Sequence, residues 1–162
     1  MAAFSGVNHV AFSVRDLEVS TRFYADVLGF LPLLDFGYGR VCMDRESGFT
    51  IALIRHPNGS SDRFSELTTG LDHLGLAAAD RAELDEWVER FDAAGVEYTP
   101  IQEQPLGWHL NFRDPDGIAL EFHAPSPMYA AALADLRSRD VPDSEIREVA
   151  EGMLGSEVVA RP

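Results

Sequence analysis

Three residues in this chain have the side chains and the spacing to hold a metal ion: His9, His73 and Glu121. Each belongs to an apolar run that reads as a strand. In GVNHVAFSV, Val10, Phe12 and Val14 alternate with His9, Ala11 and Ser13, so one face is a core face. The other face carries a histidine beside very small residues, which leave space above the sheet. In GLDHLGLA, Leu74 and Leu76 alternate with His73, Gly75 and Ala77, and in IALEFH, Ile118, Leu120 and Phe122 alternate with Ala119, Glu121 and His123. Two imidazoles and a carboxylate converging from three strands form a set that binds a divalent first-row ion and leaves positions open for substrate or O₂. Such an ion acts as Lewis acid and template. Continued through FTIALIRH and WHLNFR, the alternation predicts His56, His109 and Asn111 on the open face too, with all five histidines on one side.

The elements that must position these residues repeat. At a constant offset Gly6 matches Gly70, His9 matches His73 and Asp16 matches Asp80. Asp16 reads as the cap of a helix that buries Phe23, Val27 and Leu28 and stops at Gly29. Asp80 reads as the cap of a second, with Leu84, Trp87, Val88 and Phe91 on one stripe and Gly95 at its end. Strand-like runs follow each helix, at 31–36, 40–43 and 49–56, then at 96–101, 108–113 and 118–123. Gly37 and Gly39 mark a hairpin, and the DPDG at 114–117 marks a tight turn.

The fold class expected is α+β. Two βαβββ modules, at 5–57 and 69–125, form a curved mixed sheet around a central site. A polar connector spans 58–68, and a helical extension spans 126–162 with helices at 128–137 and 144–154.

Composition removes other classes. The chain has 162 residues, 46% hydrophobic and 25% charged, as expected for one globular domain or two half-domains. A net charge of −14 argues against a nucleic-acid partner, because a phosphate backbone is repelled by such a surface. No apolar run approaches the ~20 residues that span a bilayer, and no secretory signal is visible at the N-terminus, so a cytoplasmic protein is expected. The single cysteine, Cys42, reads as a small buried hydrophobe.

The paired βαβββ halves, GVNHVAFSVRDLEVSTRFYADVLGF and the DPDGIALEF ending resemble the vicinal oxygen chelate superfamily over about residues 5–125. That superfamily includes glyoxalase I, extradiol dioxygenases, fosfomycin-resistance transferases and bleomycin-binding proteins. The resemblance places the metal ligands on His9, His73 and Glu121. It implies one divalent ion (Fe²⁺ or Mn²⁺ favoured, Zn²⁺ or Ni²⁺ open) and a small substrate that chelates it through two neighbouring oxygens. It implies His56 as the acid–base group, with His109 and Asn111 lining the substrate. Classical glyoxalase I needs a further glutamate where this chain has Ala52, and dioxygenases have a tyrosine near the position of Asn111. The resemblance also implies a homodimer that shares ligands between copies. The alternative is a protein that sequesters a planar antibiotic without turnover, with Phe36, Tyr38 and Trp108 as stacking surface.

Overall fold

The computed structural model describes residues 6–160. Ser5, Arg161 and Pro162, at the ends of the expected modules, lie outside these residues. Two four-stranded mixed sheets follow the sequence repeat. The chain gathers into two compact units: one holds the first sheet with residues 90–97 and 113–119, and the other holds 74–89, 98–112 and the chain from 120 onward.

In the first unit, β1 (His9–Ser13), β2 (Leu31–Asp35), β3 (Gly39–Met43) and β4 (Thr50–Ile54) lie in the order β1-β4-β3-β2. β1 runs parallel to β4 with His9 opposite Thr50 and Ser13 opposite Ile54, and the other pairs are antiparallel. The predicted alternation holds: Phe12, Ile51, Leu53 and Cys42 are buried, whereas His9, Ala11 and Ser13 are exposed. α1 (Leu17–Arg22) starts where the Asp16 carboxylate accepts from the Glu18 and Val19 amides, at 2.8 and 3.0 Å. The helix then widens into a π turn over Phe23–Val27, in place of a uniform α-helix. Phe23 and Leu28 are five residues apart and both buried, and the wider turn brings them to one side, with the Leu28 amide donating to the Phe23 carbonyl.

The β-turn between the last two strands belongs to this unit as well. Its two aspartates are buried rather than displayed to solvent. Asp116 pairs with Arg15 at 2.5 Å. Asp114 accepts from the Tyr24 hydroxyl at 3.2 Å and from the Asp116 and Ile118 amides at 2.9 and 2.8 Å.

The second unit holds β5 (Leu74–Ala77), β6 (Gln102–Gln104), β7 (Gly107–Arg113) and β8 (Ala119–Pro125), in the order β5-β8-β7-β6. β5 runs parallel to β8 and sets Gly75 opposite Glu121. Leu110, Phe112, Leu120 and Phe122 form the buried face, and α2 (Arg81–Ala94) lays Trp87 on Phe122 with ring centroids 4.4 Å apart. The strand expected over 96–101 does not form. Only Tyr98 bridges, to Phe112, and the pairing strand falls at Gln102–Gln104. Pro100 explains the displacement, since it has no amide hydrogen to give a ladder.

The C-terminal residues form α3 (Pro127–Ser138) and α4 (Asp143–Leu154). α3 begins at a Ser126 cap, whose hydroxyl accepts from the Tyr129 amide, and the Ser126 amide donates to the Leu106 carbonyl at 2.8 Å. Arg139 pairs with Asp135 of α3 and with Glu145 of α4, clipping the two helices together. Among the described residues, no helix is long and apolar enough to cross a membrane.

Candidate functional site

The open face of the second sheet concentrates titratable groups. Glu121 on β8 and His109 on β7 meet there, with the imidazole Nδ1 2.5 Å from the carboxylate Oε1. Both side chains are largely buried, at 13% and 18% exposure. Gly75 lies opposite Glu121, and a methyl group in place of its hydrogen would stand 3.7 Å from Oε2, an ordinary contact distance. His123, two residues along β8, lies with its ring 4.7 Å from that of His109. Its Nε2 is buried and has no hydrogen-bond partner among the described residues. Burial holds the His123 imidazole below the usual histidine range, and the neighbouring His109 acts in the same direction. Asn111 lies further along β7 on the same face by alternation, half-buried.

Gly75, His109, Glu121 and His123 line a cleft of about 640 Å³. Its floor is the sheet, and Tyr129, Leu133 and Arg137 from α3 with Leu154 from α4 line it as well. The Tyr129 ring lies 6.1 Å from that of His123.

The two histidines related by the repeat share one device. His9 Nδ1 bonds the Asn8 side-chain oxygen at 2.9 Å, and His73 Nδ1 bonds the Asp72 carboxylate at 2.6 Å. A ring whose Nδ1–H donates carries its lone pair on Nε2, and this arrangement is typical of metal-binding histidines. His9 lies in β1, and His73 directly precedes β5, two residues before Gly75. Among the described residues, no three His, Cys, Asp or Glu side chains gather closely enough to hold one ion.

His56 lies in the turn after β4, exposed, with its carbonyl accepting from the Gly59 amide. β4 stops at Ile54, so the alternation that put His56 on the open face does not extend to it. Sequence reasoning missed the direct contact of His109 with Glu121, which depends on the register of β7 against β8. It also missed that Tyr129 and Arg137 reach the same cleft.

A family model described as "Glyoxalase/Bleomycin resistance protein/Dioxygenase superfamily" matches residues 6–122. The chain belongs to this superfamily. It is 29% identical over 125 residues to metallothiol transferase FosB of Shouchella clausii, spanning 74% of this chain and 80% of that protein. It is 28% identical over 124 residues to fosfomycin resistance protein FosX of Listeria monocytogenes, spanning 74% and 90%. Among solved structures, a glyoxylase/bleomycin resistance protein/dioxygenase domain from Frankia sp. matches with TM-score 0.71 and 38% identity, covering 76% of this chain and all of that one. The fold also matches FosX of Listeria monocytogenes solved with Mn(II) and a dihydroxypropylphosphonic acid, at TM-score 0.63 and 23% identity, covering 82% and 99%.

Proposed function

We propose that this chain is a metal-dependent enzyme acting on a small substrate with two neighbouring oxygens. His9, His73 and Glu121 hold one divalent ion, and manganese is the first candidate given the ion in the FosX structure. The observation that carries the reading is the repeated tether, Asn8 on His9 and Asp72 on His73, which presents the same nitrogen from equivalent places in the two halves. Glu121 adds a carboxylate whose second oxygen lies beside Gly75. As the resemblance implies ligands shared between copies, the reading takes His9 from one copy and His73 with Glu121 from a second.

A bound ion would supply Lewis-acid polarisation of the two chelating oxygens. The chain's own residues do the rest. His109, by its hydrogen bond, fixes the carboxylate of Glu121 in one orientation. Asn111 offers an amide to substrate on the same face, and the sheet and α3 wall the cleft that holds His109 and Glu121. His56, in its exposed turn, has no role in this reading.

Manganese stoichiometry tests it. The unaltered protein should hold one ion per chain, and His9→Ala, His73→Ala and Glu121→Ala should each lose it. Exchanging His9→Ala copies with Glu121→Ala copies should restore about a quarter of the sites: about half the dimers are mixed, and one of their two sites is intact. Full occupancy in His73→Ala, or no recovery on mixing, would refute the assignment.

One observation favours the sequestering alternative. Phe36 and Tyr38 are 56% and 63% exposed, and their rings stack at 6.3 Å, a ready surface for a planar ligand. Purified protein that holds no metal yet binds such a ligand would favour that reading.

A further inference from the structure

The two C-terminal helices lie beyond residues 6–122, the part of the chain that the family model matches, yet Tyr129, Leu133, Arg137 and Leu154 from them line one side of the cleft. They are held there by the Ser126 amide on the Leu106 carbonyl and by the Arg139 clip between α3 and α4. Two features of the cleft lack a geometrically satisfied hydrogen-bond partner among the described residues. One is the buried Nε2 of His123. The other is Arg137, which makes no hydrogen bond or ion pair among the described residues, in a chain with 27 acidic residues against 13 basic ones. A buried ring nitrogen with no partner is costly, and a ligand that supplies one relieves that cost.

We infer that this cleft is a subsite for an elongated organic acid carrying a hydroxyl group, with Arg137 on the acid's anionic head and His123 Nε2 on the hydroxyl. The spacing sets the ligand's length. Tyr129 lies against His123. Arg137 follows Tyr129 by eight residues on α3, an axial rise of ~12 Å. The reach of the arginine side chain closes part of that distance, so a ligand that meets both groups spans on the order of 8–12 Å. A three-carbon phosphonate is too short to do so. Leu106, Leu133 and Leu154 line the space between and fit an apolar body, an aromatic ring or a short alkyl chain. The helical extension thus selects a longer, more apolar acid than those the matched domain alone admits.

Para-hydroxyphenylpropionate is a probe of the right length, and its binding can be measured by calorimetry at physiological ionic strength. Working in the presence of a chelator makes the result independent of the metal assignment. The probe should bind at least about tenfold more tightly than phenylpropionate, which lacks the hydroxyl that His123 Nε2 would pair with, and severalfold more tightly than its uncharged amide, because Arg137 is exposed and its ion pair is screened. Arg137 is exposed on α3, so Arg137→Gln should fold normally. It should abolish the preference over the amide while keeping the preference over phenylpropionate. Propylphosphonate should bind weakly and respond little to Arg137→Gln. The inference fails if the probe binds no better than its amide, if the hydroxyl makes no difference, or if Arg137→Gln leaves the affinity of the acid unchanged.

Discussion

Asp114 is a carboxylate that the fold tolerates at a cost. It lies in the β7–β8 turn at 3% exposure, and burial raises its pKa from 3.8 to about 6. The charge of Asp116 adds to the rise, and the amides of Ile118 and Asp116 with the Tyr24 hydroxyl oppose it. Asp116 has Arg15 for a partner; among the described residues, Asp114 has only dipoles. A folded pKa above the unfolded one means that the group's stabilising contribution is complete below about pH 4 and is lost as pH rises through about 6. A rise from 3.8 to about 6 corresponds to ~3 kcal/mol. Asp114→Asn keeps the oxygen that accepts from both amides and turns an amide toward the Tyr24 oxygen, with no charge to bury. Urea unfolding of both proteins from pH 4 to pH 7.5 checks the reasoning. The variant should be close to the unaltered protein at pH 4 and gain on it steadily up to pH 7, by at most ~3 kcal/mol, since the lost charge-assisted hydrogen bonds offset part of the difference. A stability difference that stays flat across this range, or that turns against the variant as pH rises, would refute the assignment of a raised pKa to Asp114.

Two further outcomes are expected. Gly107 adopts φ +152°, and a Cβ there would lie 2.1 Å from the Ala124 carbonyl oxygen. Gly107→Ala should therefore cost about 3 kcal/mol or more in urea unfolding, and a loss under about 1 kcal/mol would contradict the close approach. Glutathione hemithioacetal should not be turned over by the protein supplied with manganese, because β4 carries Ala52 where the resemblance to glyoxalase I implies a proton-abstracting carboxylate; rapid turnover in a coupled spectrophotometric assay would show that another group serves as base.

The parts of the fold legible in the sequence are those set by local alternation and capping. The strand faces of β1, β4, β7 and β8, the caps at Asp16 and Asp80, the stop at Gly95 and the C-terminal helices all rest on residues that interact within a few positions. Features that depend on distant partners were not legible. DPDG reads as a turn, and nothing local shows that Tyr24 and Arg15 wait for its carboxylates. A composition rich in apolar residues at 96–101 reads as a strand, but Pro100 and the register of β7 move the pairing to Gln102–Gln104. For the candidate site, the choice of His9, His73 and Glu121 follows from strand parity and the repeat. The His109–Glu121 contact depends on inter-strand register, and the approach of Arg137 depends on where a helix outside the repeat comes to rest.

The anchoring of the β7–β8 turn to α1 has a consequence for how the chain reaches its native state. Arg15 and Asp116 are 101 positions apart, and Tyr24 and Asp114 are 90 apart. Closing loops of that length carries a large entropic cost before any contact returns energy. During synthesis the first sheet therefore emerges with the buried hydroxyl of Tyr24 and the guanidinium of Arg15 still lacking their partners, and it gains them only when the last strands have left the ribosome. The duplicated halves are repeats in sequence but not independent modules in assembly. A gene fragment ending before residue 114 encodes a first half without the two carboxylates that complete its core.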